Sequence, residues 1–246
     1  MFPIYIPSKG RPDFATAKLL NEPHPPYIDP YVVMDIDMEE KPRPYTVFVE
    51  PQDAEAYRIA GHASIVVLRE NDKGVAYARQ PILDYAIQNN DRWFWMIDDD
   101  VIQFSAYQLD GYGYEDGMGR IHPGVLAHIE HHKMAYTNLE GIAAIAIEHE
   151  IWLARTAKAC EESGKVVKDT VGATTVNACA LFNAPLLKAA GVKYCQELAV
   201  LEDIDFCLQL VDKGLRLARI GNYGFKVPTS KTTPGGVLTP GKRRAG

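Results

Sequence analysis

The chain has 246 residues, of which 47% are hydrophobic and 24% are charged, so it is long enough for one large α/β domain. Its formal net charge is −6. No apolar stretch approaches the roughly 20 residues of a membrane span, which excludes a transmembrane protein. The amino terminus lacks the basic region of a signal peptide, so we expect a cytoplasmic protein.

The first hundred residues alternate between strand-like and helix-like segments. Strands are expected at 3–6, 31–34, 46–50, 64–68 and 93–97, and helices at 13–20, 53–60 and 74–88. Pro81 either bends the last of these helices or marks its first turn. Such alternation predicts an α/β fold with a mainly parallel sheet, which binds ligands at the carboxyl ends of its strands.

The second half of the chain is less regular. Helices are expected at 123–136, 185–190 and 203–213, and strands at 176–182 and 216–220. The segment 142–147 is either a strand or a buried helix. Four glycines in 110–119 predict a mobile loop, and the Gly/Pro/Thr-rich composition after Asn222 predicts a lid or tail.

Three consecutive acids, Asp98, Asp99 and Asp100, follow the apolar run 93–97. Side chains alternate along an extended strand, so Asp98 and Asp100 are expected to point one way and Asp99 the other. Two oxygen ligands at a strand end suit a hard divalent cation that also holds phosphate oxygens. The alternative is a loop of solvated acids.

Two cationic segments also follow predicted strands. In the loop 7–12, Gly10 permits close backbone approach, while Lys9 and Arg11 can donate to a phosphate or a base. The loop has neither the P-loop spacing nor the glycine pattern of a dinucleotide fold. In the segment 69–79, Lys73 and Arg79 are expected beside the same cleft, although Lys73 also fits an ordinary surface charge.

A second acidic pair, Glu202 and Asp203, begins a predicted helix. Asp at this position either caps the helix or is held in a cleft, where it can accept a hydroxyl proton. His128 and His132 are four residues apart, but no third ligand is evident, and we interpret them as surface histidines.

Charge and cysteines add two further expectations. The segment after residue 212 contains eight basic residues and no acidic residue, so the first 212 residues carry a formal net charge of −14. This asymmetry favours a polyanion near the carboxyl-terminal part, either a nucleotide diphosphate or a nucleic acid, although a solvated tail is the alternative. The cysteines are far apart and are expected to be reduced thiols: Cys160, Cys179, Cys195 and Cys207.

The ordered set of motifs resembles the GT-A glycosyltransferases. The strand-loop site is followed by Gly-x-Ala-x-x-Arg at 74–79, by an aromatic strand ending in the DxD motif at 98–100, and by Glu-Asp at 202–203. The resemblance spans roughly residues 1–225. It implies a nucleotide-sugar half at about 1–100, an acceptor half at about 101–225, and a basic lid or tail at 226–246.

Within the GT-A enzymes, Ile-Pro-Ser-Lys-Gly-Arg-Pro at 6–12 is similar to the opening of the TET/JBP-associated glycosyltransferases, and 230–236 fits the same family. This resemblance implies transfer of a sugar from a UDP-sugar to the hydroxymethyl group of a 5-hydroxymethylpyrimidine in DNA. Mn²⁺ or Mg²⁺ would be held by Asp98 and Asp100, and Asp203 or Glu202 would face the acceptor hydroxyl. The implied nucleotide-sugar contacts are Pro7, Ser8, Lys9, Gly10, Arg11, Lys73, Gly74, Arg79, Asp98, Asp99 and Lys231.

One feature departs from the GT-A pattern. Many GT-A enzymes supply a carboxyl-terminal histidine as a further metal ligand, and this chain has no histidine after His149. Lys226 or Lys231 could instead supply positive charge to the leaving diphosphate. Two other functions stay open: a GT-A enzyme that acts on a glycan, lipid or protein, and a non-catalytic module that binds nucleotide sugars or nucleic acid.

Overall fold

A computed structural model describes eight stretches of the chain: residues 1–21, 43–107, 118–121, 124–134, 139–165, 167–172, 174–198 and 200–228. The predicted strand at 31–34, residues 110–117 of the predicted glycine-rich loop, and Lys231 lie outside these stretches. Within them, no helix has both the length and the apolar character that crossing a membrane requires.

The first hundred residues alternate between strands and helices, as predicted. The strands are β1 (Ile4–Ser8), β2 (Thr46–Val49), β3 (Ile65–Val67) and β4 (Phe94–Ile97), and the helices are α1 (Ala15–Asn21), α2 (Ala54–Ile59) and α3 (Val75–Gln88). Every residue of β4 is buried, as its continuous apolar sequence requires. Pro81 lies inside α3, where it cannot donate a backbone hydrogen bond but does not end the helix.

The second half contains more elements than the sequence predicts. Its strands are β5 (Gln103–Tyr107), β6 (Met118–Ile121), β7 (Ile142–His149), β8 (Thr170–Gly172), β9 (Cys179–Phe182) and β10 (Arg216–Lys226). Its helices are α4 (Gly124–His128), which continues as a π-helix over Ile129–Lys133, α5 (Glu150–Glu162), α6 (Ala184–Ala190) and α7 (Glu202–Asp212). The segment 142–147 is therefore a strand, and β5, β6, β8 and α5 are additions.

The described strands form one sheet in the order β3-β2-β1-β4-β9-β7-β10-β5-β6, and β8 also pairs with β10. Strands β1 to β4 are mutually parallel, and β10 is parallel to β7. Strand β9 is antiparallel to β4 and β7, and β5 and β8 are antiparallel to β10. Most described strands therefore point the same way, and the predicted α/β fold with a mainly parallel sheet is confirmed.

Alternate residues of each central strand supply two hydrophobic cores, one on each face of the sheet. In β1, Ile4 and Ile6 belong to one core and Tyr5 to the other. The first core contains Phe14 next to α1, while the second contains Phe206 of α7. Because helices cover both faces, the polar residues that bind ligands are confined to the ends of the strands.

Strand β10 continues past the end that the sequence predicts. Residues 223–226 were expected in a lid or tail, but they belong to the strand, so that expectation is wrong for them. The two glycines allow close packing within the sheet: a Cβ atom at Gly221 would lie 2.3 Å from the Lys168 carbonyl oxygen, and one at Gly224 would lie 3.0 Å from Leu153. The expected loop at 110–119 is likewise wrong for Met118 and Gly119, which belong to β6.

All four cysteines are free, and Cys179 and Cys207 are buried, as expected for reduced thiols. Burial raises the pKa of Cys207 to about 11, so this thiol stays protonated near neutral pH. The backbone places His128 at the end of α4 and His132 in the π-helix. Their side chains lie outside the described part of the structure, so their interpretation as surface histidines stays a prediction.

Candidate active site

Most of the predicted site residues that the structure describes lie at the edge of the sheet where β1 to β4 end. Strand β1 ends at Ser8, and the three acids follow β4 directly. Because β1 pairs in parallel with β4, these two segments meet at the same edge. The backbone amide of Asp98 donates to the Ala178 carbonyl oxygen at 2.7 Å, which fixes the start of the acidic segment against the residue before β9.

Asp99 is buried and faces the loop after β1. Its carboxylate accepts a hydrogen bond from the Ser8 hydroxyl at 2.5 Å and forms an ion pair with Arg11 Nη2 at 2.6 Å. The Ser8 hydroxyl also lies 2.6 Å from the Tyr57 hydroxyl. Burial raises the pKa of Asp99 to about 7, although the Arg11 charge and the Ser8 hydrogen bond act in the opposite direction. Asp99 therefore links the two loops of the edge rather than facing solvent.

Asp98 points away from that network. Both of its carboxylate oxygens lie 3.0 Å from Arg79 Nη2, and 27% of its side chain stays exposed. Asp98 and Asp99 thus diverge, as the alternation along a strand predicts.

Asp100 is half-buried, and no described side chain forms an ion pair with it. Burial raises its pKa, and the nearby charge of Asp98 raises it further. The charges of Arg11 and Arg79 act in the opposite direction. A half-buried carboxylate that forms no ion pair with a described side chain, next to a second carboxylate, has unused capacity for a cation. Oxygen ligands of this kind fit Mg²⁺ or Mn²⁺, and Mg²⁺ is commonly bound by one or two carboxylates together with substrate phosphates. Among the described residues, no three His, Cys, Asp or Glu side chains converge on a metal position.

Arg79 of α3 connects this edge to the start of α7. Its Nη1 atom donates to Glu202 Oε1 at 2.7 Å, while its Nη2 atom contacts Asp98. Arg79 is only 6% exposed. Burial lowers the pKa of Arg79, but the neighbouring negative charges, chiefly Asp98, outweigh it and raise the pKa above its ordinary value. The guanidinium therefore stays charged between two carboxylates.

Glu202 and Asp203 are the first two residues of α7, but neither is its N-cap. The N-cap is Leu201, which has φ +66° and forms no side-chain capping bond. Glu202 is buried, and burial raises its pKa although Arg79 lowers it. Asp203 is half-buried, and its carboxylate accepts from the backbone amide of Ile204 at 2.9 Å. Of the two acids, Asp203 is the one without a cationic partner among the described side chains.

Lys9 and Gly10 are bound by acids that the sequence analysis did not single out. Lys9 Nζ lies 2.9 Å from Glu50 and 2.5 Å from Asp72, and the Gly10 amide donates to Asp53 at 2.8 Å. Burial lowers the pKa of Lys9, but its hydrogen bonds to these two acids more than compensate and raise it. Glu50 directly follows β2, and this position at a strand end is the signal that could have identified it.

Three other predicted contacts have different surroundings. Pro7 is buried in β1, where it pairs with Phe48. Gly74 is the residue before α3 and has φ +91°, a conformation that favours glycine. Lys73 is exposed and pairs with Glu70 at 2.9 Å, which matches the surface-charge interpretation.

A second polar cluster lies further along the same edge, where β7 and β10 end. Glu150, the first residue of α5, accepts from the Ser105 hydroxyl at 2.7 Å and lies 3.9 Å from Lys226 Nζ. Glu148 of β7 pairs with Arg219 at 2.6 Å. Apart from Lys226, these residues were not predicted from the sequence, because strand β5 and helix α5, which help to bring them together, were not predicted.

The fold is similar to that of S. aureus TarS. The structure of TarS residues 1–349 has 14% sequence identity and a TM-score of 0.50, with 92% of this chain and 60% of that chain covered. The complex of the same fragment with UDP-GlcNAc has 13% identity and a TM-score of 0.50, with 93% and 59% covered. The chain thus spans about 60% of the length of these TarS fragments. This likeness confirms the predicted GT-A fold.

Three further results differ in outcome: a third solved structure, the curated proteins and a family model. Glucosyl-3-phosphoglycerate synthase from Mycobacterium tuberculosis, solved with Mn²⁺, UDP-glucose and glycerol 3-phosphate, has 15% identity and a TM-score of 0.47, with 95% of this chain and 73% of that chain covered. No curated protein matches the sequence. The model of one family, described as TET-associated glycosyltransferase, matches residues 2–236. That match covers nearly the whole chain, and the chain therefore belongs to the TET-associated glycosyltransferase family.

Proposed function

We propose that this protein transfers a sugar from a UDP-sugar to the hydroxymethyl group of a 5-hydroxymethylpyrimidine in DNA. The observation that carries the proposal is the family match over residues 2–236. The open carboxylates at the edge of the sheet support it, because a nucleotide sugar needs a site of this kind at the carboxyl ends of parallel strands. The TarS fold has been solved with UDP-GlcNAc, and we propose a UDP-linked donor of the same class here.

Asp98 and Asp100 are the residues that would hold Mg²⁺ or Mn²⁺. A bound divalent cation would supply positive charge to the diphosphate as it leaves. Asp98 forms an ion pair with Arg79, while Asp100 forms none with a side chain in the described part of the chain. Lys226, which ends β10 at the same edge, is half-exposed and could donate to the departing group.

Asp203 is the proposed general base of an inverting reaction. Its carboxylate takes the proton of the acceptor hydroxyl, and the acceptor oxygen forms a bond to the anomeric carbon. The bond between that carbon and the diphosphate breaks, and its electron pair leaves with the diphosphate. Glu202 is less suited to this role, because its carboxylate is buried against Arg79.

A duplex acceptor imposes one further requirement. The modified base must leave the base stack to bring its hydroxymethyl group to Asp203. The basic residues after Lys226 would then contact DNA phosphates, which makes binding sensitive to salt.

The charge of the rest of the chain favours a second candidate function. The first 212 residues carry −14, which opposes close approach of a polyanion. A GT-A enzyme that acts on a glycan, lipid or protein acceptor would meet no such repulsion.

The two candidates differ in the products that they form. The protein is incubated with Mn²⁺, a panel of UDP-sugars, and duplexes that contain cytosine, 5-hydroxymethylcytosine or 5-hydroxymethyluracil, and the digested nucleosides are analysed by mass spectrometry. A hexose or pentose added only to a hydroxymethylated nucleoside supports the proposal. Hydrolysis of the sugar nucleotide without transfer to DNA favours the second candidate, and the absence of any turnover with every donor favours a non-catalytic binding module.

A further inference from the structure

Arg79 joins the two acids that flank the candidate site on opposite sides. It lies between Asp98, at the end of β4, and Glu202, at the start of α7, although 123 residues separate Arg79 from Glu202 along the chain. Both Nη atoms donate to carboxylates, at 2.7 Å and 3.0 Å. Only 6% of the residue is exposed. A nucleotide phosphate would therefore have to displace Asp98 or Glu202 to reach this guanidinium.

The start of α7 depends on this contact more than the rest of the helix does. The N-cap residue Leu201 supplies no side-chain hydrogen bond and has φ +66°, a conformation that is unfavourable for leucine. Further along the helix, Phe206 stacks on Tyr194 with ring centroids 4.2 Å apart. Packing therefore fixes the body of α7, whereas the Arg79–Glu202 ion pair attaches its first residue to α3.

Asp203 directly follows Glu202, so the same ion pair determines where the Asp203 carboxylate lies. We propose that Arg79 is a positioning residue: it acts through Glu202 to hold Asp203 against the acceptor, while its second contact holds Asp98 on the donor side. This inference rests on the proposed function, in which Asp203 receives the acceptor proton. It differs from the contact with the nucleotide that the resemblance implies for Arg79.

The ion pair can be tested with a double-mutant cycle of Arg79→Lys, Glu202→Gln and their combination. Lysine keeps the charge but replaces the planar fork of two nitrogens, which reach Glu202 and Asp98 separately, with a single ammonium group. Glutamine keeps the shape of Glu202 without its charge. We expect each single substitution to lower kcat by at least about tenfold. The kcat of the double variant should be no more than about threefold below that of the less active single variant, because the effects of residues that act as a unit are not additive.

UDP binding provides the readout that a direct nucleotide contact would change. By calorimetry, we expect Glu202→Gln to bind UDP within about threefold of the wild-type protein, because Glu202 contacts Arg79 and positions the base but does not hold Asp98 or the donor. A drop of tenfold or more in UDP affinity for Arg79→Lys, with kcat retained at saturating donor, would overturn the proposal. Additive losses of kcat in the double variant would also overturn it.

The controls separate this inference from the proposed function. Arg58→Lys alters an exposed Arg–Glu pair on α2, where Arg58 lies 3.0 Å from Glu55, and should leave both kcat and UDP affinity unchanged. If Arg79→Lys unfolds, as circular dichroism would show, Glu202→Gln alone still distinguishes a loss of kcat from a loss of UDP affinity. If the wild-type protein neither binds UDP nor transfers a sugar, the proposed function fails, whatever kcat and UDP affinity the variants show.

Discussion

The two ends of the sheet each contain a buried arginine paired with a carboxylate, but only one of them stays open. At the carboxyl ends of the strands, Asp98 pairs with Arg79 and keeps 27% of its side chain exposed, and Asp100 next to it has no partner among the described side chains. At the opposite end, Glu130 pairs with Arg43, and its side chain is 2% exposed.

At the closed end of the sheet, where Glu130 lies, both carboxylate oxygens accept hydrogen bonds. Glu130 Oε1 accepts from Arg43 and from Trp95 Nε1, the latter at 2.7 Å, and Oε2 accepts from the Phe2 amide at 3.2 Å. Glu130 lies in the π-helix, which places its carboxylate beside the first residues of the chain. A carboxylate whose hydrogen bonds are all made inside the protein can stabilise the fold but has no capacity left for a ligand. The same pair of residue types is therefore structural at one end and available for chemistry at the other.

The largest effect is expected at the open end. Asp100→Asn removes the unpaired charge that would hold the cation, so kcat should fall by about a hundredfold or more while the denaturation midpoint stays within a few degrees. Steady-state kinetics and thermal unfolding measure the two quantities.

Asp212→Asn is the matched control for this change, because Asp212 is an exposed acid at the far end of α7. It should leave kcat unaltered. Full activity of Asp100→Asn would refute the assignment of Asp100 as a metal ligand.

At the closed end the expected effect is on stability. Glu130→Ala leaves Arg43 buried without its partner, and breaking a buried pair in this way costs about 3–5 kcal/mol of unfolding free energy. Urea unfolding followed by tryptophan fluorescence measures the loss. UDP affinity per folded molecule should not change, and an unfolding free energy that drops by less than about 1 kcal/mol would show that this cluster is not a structural one.

The smallest effect is a pH dependence that comes from the open end. Burial raises the pKa of Asp99 from 3.8 to about 7, so between these values the folded protein binds more protons than the unfolded chain. The contribution of Asp99 to stability is therefore complete below about pH 4 and is lost as the pH rises to about 7. Asp100 and Glu202, whose pKa values burial also raises, act in the same direction.

This expectation can be tested by measuring the unfolding free energies of the wild-type protein and of Asp99→Asn at pH 5 and pH 7.5. The decrease between the two pH values should be smaller in the variant, because it lacks the titrating group. An equal decrease in both proteins would show that Asp99 is ionised throughout this range.

Local sequence patterns were sufficient where one segment carries the whole signal. The apolar run before Asp98 predicted a buried strand with acids at its end, because a triple carboxylate cannot follow such a strand into the core. Helix α5 was missed although Glu150–Glu162 contains neither glycine nor proline, so the local signal was present. The glycines of β10 were misleading, because glycine marks a close approach inside a strand as well as a loop.

The sequence by itself determined the class of fold, the acidic edge and the family resemblance, because periodicity and motif order are written along the chain. Only the tertiary structure decided which charges neutralise one another. Arg79 and Glu202 meet across 123 residues, and Lys9 meets Glu50 across 41. Whether an acid is free for a ligand depends on the partner that packing brings to it, and no local pattern specifies that partner.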